Sequence, residues 1–160
     1  MIPASIASYR IVRQLGEGGM GVVYEAVHDS LGRRAAIKVL HPEFSQNAQI
    51  RARFFNEARA VNMVQHPGIV SIYEFGESPD GSTFLIMEFL EGDSLRKRVK
   101  QYGGPMPFVL VVRLGRQMAS ALAAAHKMKI VHRDLKPDNV MLVADPDVAG
   151  GERAKLLDFG

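Results

Sequence analysis

The stretch Val131-His132-Arg133-Asp134-Leu135-Lys136-Pro137-Asp138-Asn139-Val140 constrains this chain more than any other. It sets a carboxylate (Asp134), an ammonium (Lys136) and an amide (Asn139) within six residues, between short apolar runs. Such a segment cannot lie in a core, because its polar groups would be buried and unpaired. It reads as a reactive loop carried on a rigid scaffold, and the rest of the chain must supply that scaffold.

Apolar residues make up 47% of the 160, enough for one packed domain, or one and a part, and too many for a disordered tail. The formal charge of 20 − 17 = +3 is too mild to argue for a nucleic-acid partner. There is no cysteine, which excludes disulfides and thiol-bound metals and suits a reducing interior. Met1 to Ser8 lacks a basic region followed by a long apolar one, so it reads as a short extension and not a signal peptide. No apolar run approaches the roughly 18 residues of a bilayer span. A cytoplasmic protein without a membrane segment in this chain is expected, with an anchor beyond Gly160 left open. No solenoid repeat and no low-complexity tract occurs.

Tyr9 to Leu15 alternates like a strand, and Val22 to His28 is a second. Between them lies Gly16-Glu17-Gly18-Gly19-Met20-Gly21, a G-x-G-x-x-G with Val23 two places on. In a dinucleotide-binding fold this pattern opens a helix; here β-type residues follow, so it caps a hairpin. A plain glycine-rich turn would serve the hairpin as well. Arg34 to Leu40 is a third strand, interrupted by Lys38 between Ile37 and Val39. On an alternating strand that lysine points to solvent; buried, it needs a partner. Gln49 to Gln65 carries Phe54, Ala58 and Val61 at helical spacing, with Glu57 on the edge of the stripe and Arg51, Arg53 and Arg59 on a wet face. His66-Pro67-Gly68 ends that helix. Ile69 to Phe75 and Thr83 to Phe89 are two more strands, joined by the turn-rich Gly76 to Ser82.

Asp93 or Ser94 caps a short helix whose Arg96, Lys97, Arg98 and Lys100 read as a solvated face, with substrate attraction as the alternative. Gly103-Gly104-Pro105-Met106-Pro107 then breaks the chain before its longest helix, roughly Phe108 to Met128. Val111, Leu114, Met118, Leu122 and Ala125 recur there at helical spacing and should face a core. His126 near its end reads as a capping or surface residue. The helix delivers Ile130-Val131 and the reactive loop. Val140 to Val143 and Lys155 to Leu157 pair across a long connection rich in turn residues. The chain then reads Asp158-Phe159-Gly160.

Taken in order, these motifs resemble a protein kinase. His-Arg-Asp-x-Lys-x-x-Asn is similar to the family's catalytic loop, and Lys136 two places after Asp134 resembles the serine/threonine branch, specifically the eukaryotic-like kinases of bacteria. The resemblance runs from Tyr9 to Gly160. It implies an α+β fold: a five-stranded antiparallel small lobe with one helix over 9–90, then the beginning of a mainly helical large lobe over 91–160, after an extension over 1–8. It also implies ATP, Mg²⁺ and phosphoryl transfer to Ser or Thr hydroxyls of protein substrates, in signalling.

By the same resemblance Leu15, Gly16, Glu17, Gly18, Gly19, Met20, Gly21 and Val23 would close over the nucleotide, the glycines because bare backbone can approach phosphates. Lys38, in its Ala36-Ile37-Lys38 context, would hold the α- and β-phosphates with Glu57 as its partner. Ala36, Met87, Glu88, Leu90 and Ser94 would border the nucleotide, Met87 behind the adenine and the backbone of Glu88 and Leu90 at its edge. Packing would select a core methionine at Met87 just as well. Asp134 would accept or align the substrate hydroxyl proton, Lys136 would neutralise the transferring group, and Asn139 and Asp158 would hold Mg²⁺. His132 would be structural, and Arg133 would pair with a phosphorylated activation segment. That segment, the Ala-Pro-Glu motif and the substrate helices are expected after Gly160, so residues 1–160 alone are expected to be an inefficient or inactive kinase. Two other readings stand beside this one. A nucleotide-binding pseudokinase or regulatory interaction fragment would ordinarily have lost one of Lys38, Asp134, Asn139 or Asp158. A dinucleotide-dependent oxidoreductase would need a helix after the glycine loop.

Overall fold

The alternation read in the first ninety residues folds into one antiparallel sheet. The computed structural model describes residues 3–159, and these divide into two units: one up to Arg59 together with Ser71–Phe89, the other Ala60–Val70 and the residues from Leu90 onward. In the first unit the strands are β1 (Ser5–Ile6), β2 (Tyr9–Glu17), β3 (Gly21–His28), β4 (Arg34–Leu40), β5 (Ile72–Glu77) and β6 (Thr83–Glu88). They pair in the order β1-β2-β3-β4-β6-β5. After β4 come a single turn, α1 (Pro42–Ser45), and the helix α2 (Ala48–Asn62). The sheet thus has one strand more than expected, because β1 is two residues long and alternation needs a longer run to be legible.

Register explains how a lysine sits in a strand of this sheet. Tyr24 pairs with Ile37 and Ala26 with Ala35, while Ile37 also pairs with Ile86. Side chains of paired residues share a face and successive ones alternate. One face therefore collects Ile6, Tyr9, Ala26, Ala35, Ile37, Phe84 and Ile86 as a hydrophobic core, with Ile11 and Val39 packed against it. The opposite face receives Ala36 and Lys38, and across the ladder Val23, Leu85 and Met87. Lys38 does not interrupt the core. It lies on the other side of it.

The second unit holds β7 (Gly92–Ser94), α3 (Leu95–Tyr102), α4 (Phe108–Lys127), β8 (Val140–Ala144) and β9 (Glu152–Leu156), with sheet order β7-β8-β9. The fifth strand of the first sheet was expected from Ile69 but begins at Ile72. Ile69 and Val70 are drawn to β9 instead: the Val70 N–H donates to the Leu156 carbonyl (3.1 Å) and the Leu156 N–H to the Gly68 carbonyl (2.8 Å). The His66 ring braces this entry. Its Nδ1 accepts from the Gly68 N–H (3.0 Å), so Nε2 carries the proton and donates to Ser120 Oγ on α4 (3.1 Å).

On α4 the buried stripe is Leu114, Ala121 and Ala125, with Met118 and Leu122 half-buried. Val111, expected in the core, is exposed, and the small Ala121 is buried in the stripe. Small residues mark the stripe because β9 lies close: Gln117 Oε1 accepts from the Ala154 N–H (2.7 Å) and its Nε2 donates to the Glu152 carbonyl (3.1 Å). By length and composition alone α4 is also apolar enough to cross a membrane, a test that core helices of soluble proteins pass as well. The basic run on α3 keeps the solvated face expected of it: Arg96, Lys97 and Lys100 are exposed, and the pairs of Arg96 with Asp138 and of Lys97 with Asp93 (both 2.6 Å) lie at the surface, while Arg98 is half-buried and pairs with Glu152 (2.7 Å).

Candidate active site

The residues singled out in the sequence fall into two groups, one in each unit. In the first, β2 and β3 turn through the glycine-rich segment, and the Gly18 N–H donates to the Gly21 carbonyl (2.9 Å) to close the tip. The glycines there are not equivalent. A Cβ built on Gly16, Gly18 or Gly19 meets nothing within 4 Å, and none of the three has the positive φ that would demand glycine. Nothing among the described residues requires these three to be glycine. Gly21 is different: a Cβ there would stand 2.1 Å from the Val39 carbonyl oxygen, so its lack of a side chain lets β4 approach.

Lys38 is half-buried on β4, opposite Val23 on β3 and Leu85 on β6. Ala36 and the buried Met87 are paired one step along the same face. Glu57 is half-buried on α2 of the same unit. Leu15 and Met20 are exposed near the hairpin tip. At the end of β6 the Glu88 N–H donates to the Ser71 carbonyl (2.9 Å), and its carboxylate accepts from the Ser71 N–H (2.8 Å). An adenine contact by the backbone of Glu88 would therefore have to use its carbonyl oxygen.

The second group is assembled by the reactive loop. Its first turn is tight: the Asp134 N–H donates to the His132 carbonyl (2.8 Å) across Arg133, whose φ is +63°. That is a γ-turn of the rare positive-φ kind, a strained conformation for a residue with a side chain. His132 is buried, with its ring 4.4 Å from that of Phe159. Burial makes His132 harder to protonate than a free histidine, although the main chain at Leu157 and the carboxylates of Asp134 and Asp158 pull the other way. Its role here is packing, as expected.

The turn presents the Asp134 carboxylate to solvent, where Lys136 Nζ donates to Oδ2 at 2.7 Å and Asn139 Nδ2 donates to the same oxygen at 3.0 Å. Asn139 Nδ2 also reaches the Asp134 carbonyl (2.9 Å). The Lys136 ammonium holds the Asp134 carboxyl below the usual carboxylate range, with Asn139 assisting, and Asp134 in turn raises Lys136. Since the amide nitrogen of Asn139 faces Asp134, its oxygen faces away and remains an acceptor. Asn139 is itself pinned at both ends, its N–H to the Lys136 carbonyl and its carbonyl to the Leu157 N–H (both 2.9 Å). That second bond sets Asp158, exposed and at φ +48°, two residues beyond the end of β9. Gly160 lies outside the described residues.

One residue gains a role that the sequence did not disclose: Asp138 fixes the loop to α3 through Arg96. Of the two expected caps of α3, Ser94 is the one used, accepting from the Lys97 N–H (3.2 Å). The Ser94 oxygen is thereby engaged, which leaves its hydroxyl proton for any contact with a nucleotide. Among the described residues no three His, Asp or Glu side chains gather into a metal cage. The oxygens of Asn139 and Asp158 nonetheless fit Mg²⁺, which usually takes one or two protein oxygens and completes its shell with water and substrate phosphates.

Comparison with known proteins gives a consistent answer. The protein kinase domain family matches residues 9–160. Serine/threonine-protein kinase pkn2 of Myxococcus xanthus is 48% identical over 152 residues, covering 95% of this chain and 18% of that protein. Serine/threonine-protein kinase PknD of Mycobacterium tuberculosis is 40% identical over 159 residues, covering 99% and 23%. Among solved structures, the Mycobacterium tuberculosis PknI kinase domain superposes with a TM-score of 0.82 at 30% identity, over 99% of this chain and 63% of that one. The chain thus spans about a fifth of the length of these two curated relatives.

Proposed function

The chain belongs to the protein kinase family, and from that premise we propose that it carries the nucleotide and catalytic residues of an enzyme that transfers the γ-phosphoryl group of ATP to Ser or Thr hydroxyls of proteins. The observation that carries this reading is the Asp134 carboxylate, kept charged and aimed by Lys136 and Asn139 on a strained loop. Phosphoryl transfer asks a protein mainly for positioning and for charge at the transferring group. Asp134 orients the acceptor hydroxyl and takes up its proton. Lys136, already beside Asp134, meets the negative charge of the transferring group as the hydroxyl oxygen attacks.

Lys38 binds the α- and β-phosphates, with Glu57 as its counter-charge. A side chain at Gly16, Gly18 or Gly19 would meet none of the described residues, which fits backbone lying against phosphate oxygens. Leu15, Val23, Ala36 and Met87 offer apolar surface to the base, and the Glu88 carbonyl and the Leu90 backbone offer polar edges. Asn139 and Asp158 would hold Mg²⁺, which when bound neutralises phosphate charge. The acceptor class rests on Lys136 and on the relatives named above.

The test is a phosphotransfer assay with Mg-ATP and a Ser/Thr-containing protein substrate, comparing the parent with Asp134→Asn. Transfer lost with Asp134→Asn supports the reading. Mg-ATP binding without any transfer by an otherwise well-folded protein carrying this chain would instead favour a nucleotide-binding regulatory module.

A further inference from the structure

Three contacts converge on the tip of the glycine-rich hairpin from a residue that the kinase reading leaves without a role. His41 follows β4 directly, three residues after Lys38. Its backbone N–H donates to the Met20 carbonyl (2.9 Å). Its ring Nε2 lies 3.1 Å from the Gly18 carbonyl oxygen. Glu17 Oε1 stands 3.9 Å from the same nitrogen. A carbonyl oxygen only accepts, so Nε2 carries the proton and donates.

We propose that His41 is a positioning residue that clasps the glycine-rich loop, holding the peptides of Gly18 and Met20 so that their neighbours stay aligned for phosphate oxygens. The proposal rests on the nucleotide reading above for its purpose, though not for its geometry.

The physical case starts from what the loop lacks. Gly16, Gly18 and Gly19 have no side chains and make no close contact at the position of a Cβ. Such a segment has the greatest backbone freedom available to a chain, and ordering it against a ligand costs correspondingly more. The loop's own tip supplies a single cross-turn bond, from the Gly18 N–H to the Gly21 carbonyl. That bond fixes the turn internally but does not fix where the turn points. The two bonds from His41 do, because they tie alternate carbonyls of the tip to the end of β4, the strand that carries Lys38. With carbonyls of Gly18 and Met20 drawn toward His41, the tip's peptide planes are set before any ligand arrives. Preorganisation of this kind raises affinity by removing ordering cost and adds no contact to the ligand.

Chemistry at the ring distinguishes a clasp from ordinary packing. The donor is the distal ring nitrogen, so a side chain with an N–H at the same reach should replace it. Glutamine places its amide nitrogen near the position of Nε2, whereas asparagine reaches only as far as Nδ1. Leucine fills the space and donates nothing.

The test compares His41→Leu, His41→Gln and His41→Asn with the parent chain, each checked first for an unchanged melting temperature. Amide hydrogen exchange over residues 16–21, without nucleotide, reads the clasp itself. Mg-ATP and adenosine binding by calorimetry read its purpose. We expect exchange at the tip to quicken roughly threefold to tenfold in His41→Leu and His41→Asn, the size of one neutral hydrogen bond lost, and to return toward the parent in His41→Gln. Mg-ATP binding should weaken by a similar factor in the first two variants, while adenosine, which has no phosphates, binds as before. Unchanged exchange in His41→Leu overturns the clasp. Quickened exchange with undiminished Mg-ATP affinity overturns its part in phosphate binding. A parent chain that binds no Mg-ATP would remove the nucleotide reading, and the exchange experiment would still decide the clasp.

Discussion

Alanine at Gly21 and alanine at Gly18 should have opposite consequences, although the motif G-x-G-x-x-G treats the two positions alike. At Gly21 an added Cβ would lie 2.1 Å from the Val39 oxygen, 2.9 Å from its carbonyl carbon and 3.0 Å from the Leu40 Cα. Ordinary contact begins at 3.4 Å, so relief needs 3.4 − 2.1 = 1.3 Å of movement. All three obstacles are main chain of β4, in the register Gly21↔Leu40 and Val22↔Val39. No side chain can swing away, and the two strands must part. Overpacking alone costs about 1–3 kcal/mol, and each ladder hydrogen bond given up adds about 1 kcal/mol. A loss of roughly 2–4 kcal/mol lowers the melting temperature of a unit of this size by about 10–25 °C. Gly18→Ala meets open space at a φ outside the left-handed range, so its stability should change by less than about 1 kcal/mol, with a small gain from a stiffer unfolded chain. Its Mg-ATP affinity should fall, because the methyl group occupies the approach to the backbone. Circular-dichroism melts and nucleotide titrations on both variants test this. A Gly21→Ala protein melting within about 3 °C of the parent would refute the close-approach argument and the register on which it stands.

Further outcomes are expected around the reactive loop. Asp134→Asn should lower phosphotransfer by about 10²- to 10⁴-fold while leaving the melting temperature in place, as for loss of a positioned base. Phosphoamino-acid analysis of products should return phosphoserine and phosphothreonine; predominant phosphotyrosine would contradict the role given to Lys136. Asn139→Ala should impair Mg²⁺-dependent nucleotide use more than metal-free binding, since the missing amide oxygen is a hard ligand; equal losses would show that it does not touch the metal. In Lys136→Met the Asp134 carboxyl should titrate at higher pH than in the parent, read from its carboxyl-carbon shift. The sign follows from the ammonium, which favours the charged form in the parent: removing it lets the proton return sooner as pH falls.

How much of this could be read from the sequence depended on the range of the interaction. Strands β2 to β4 and helix α4 carry their own periodicity, so their existence and type were legible residue by residue. The loop residues Asp134, Lys136 and Asn139 were legible as a group because they lie within six positions, and the structure places all three in one hydrogen-bonded cluster. What escaped was tertiary. Glu25 reads as an ordinary strand residue, yet it is buried between Arg13 and Arg34 (both 2.8 Å), whose charges outweigh burial and keep its pKa low. Arg96 lies on a wet basic face, as its run suggests, but its partner Asp138 is 42 residues away and no local pattern points to it. Ile69 and Val70 match a strand pattern, and only the competition from Leu156 takes them out of β5. The glycines were over-read in the other direction: one motif held residues kept bare for different reasons.

Backbone strain in the second unit adds an argument that no motif contains. Four described residues other than glycine have positive φ: Ala7, Lys129, Arg133 and Asp158. Two have local reasons. Ala7 sits in the turn between β1 and β2, and Lys129 is the left-handed exit of α4, where the Ile130 N–H returns to the Ala125 carbonyl (3.0 Å). Arg133 and Asp158 close no helix and no hairpin. Each such residue costs about 1–3 kcal/mol and persists only where its surroundings over-determine it. Here the neighbours of one hold the neighbours of the other: the rings of His132 and Phe159 lie 4.4 Å apart, and the Leu157 N–H binds Asn139, whose amide binds Asp134. Neither residue can relax alone, since releasing one strains contacts that define the second. The segments that carry Asp134 and Asp158 are thereby tied to one another by packing and hydrogen bonds. That is the condition for positioning to contribute to rate, because misplacement of reacting groups by about 1 Å can cost a hundredfold.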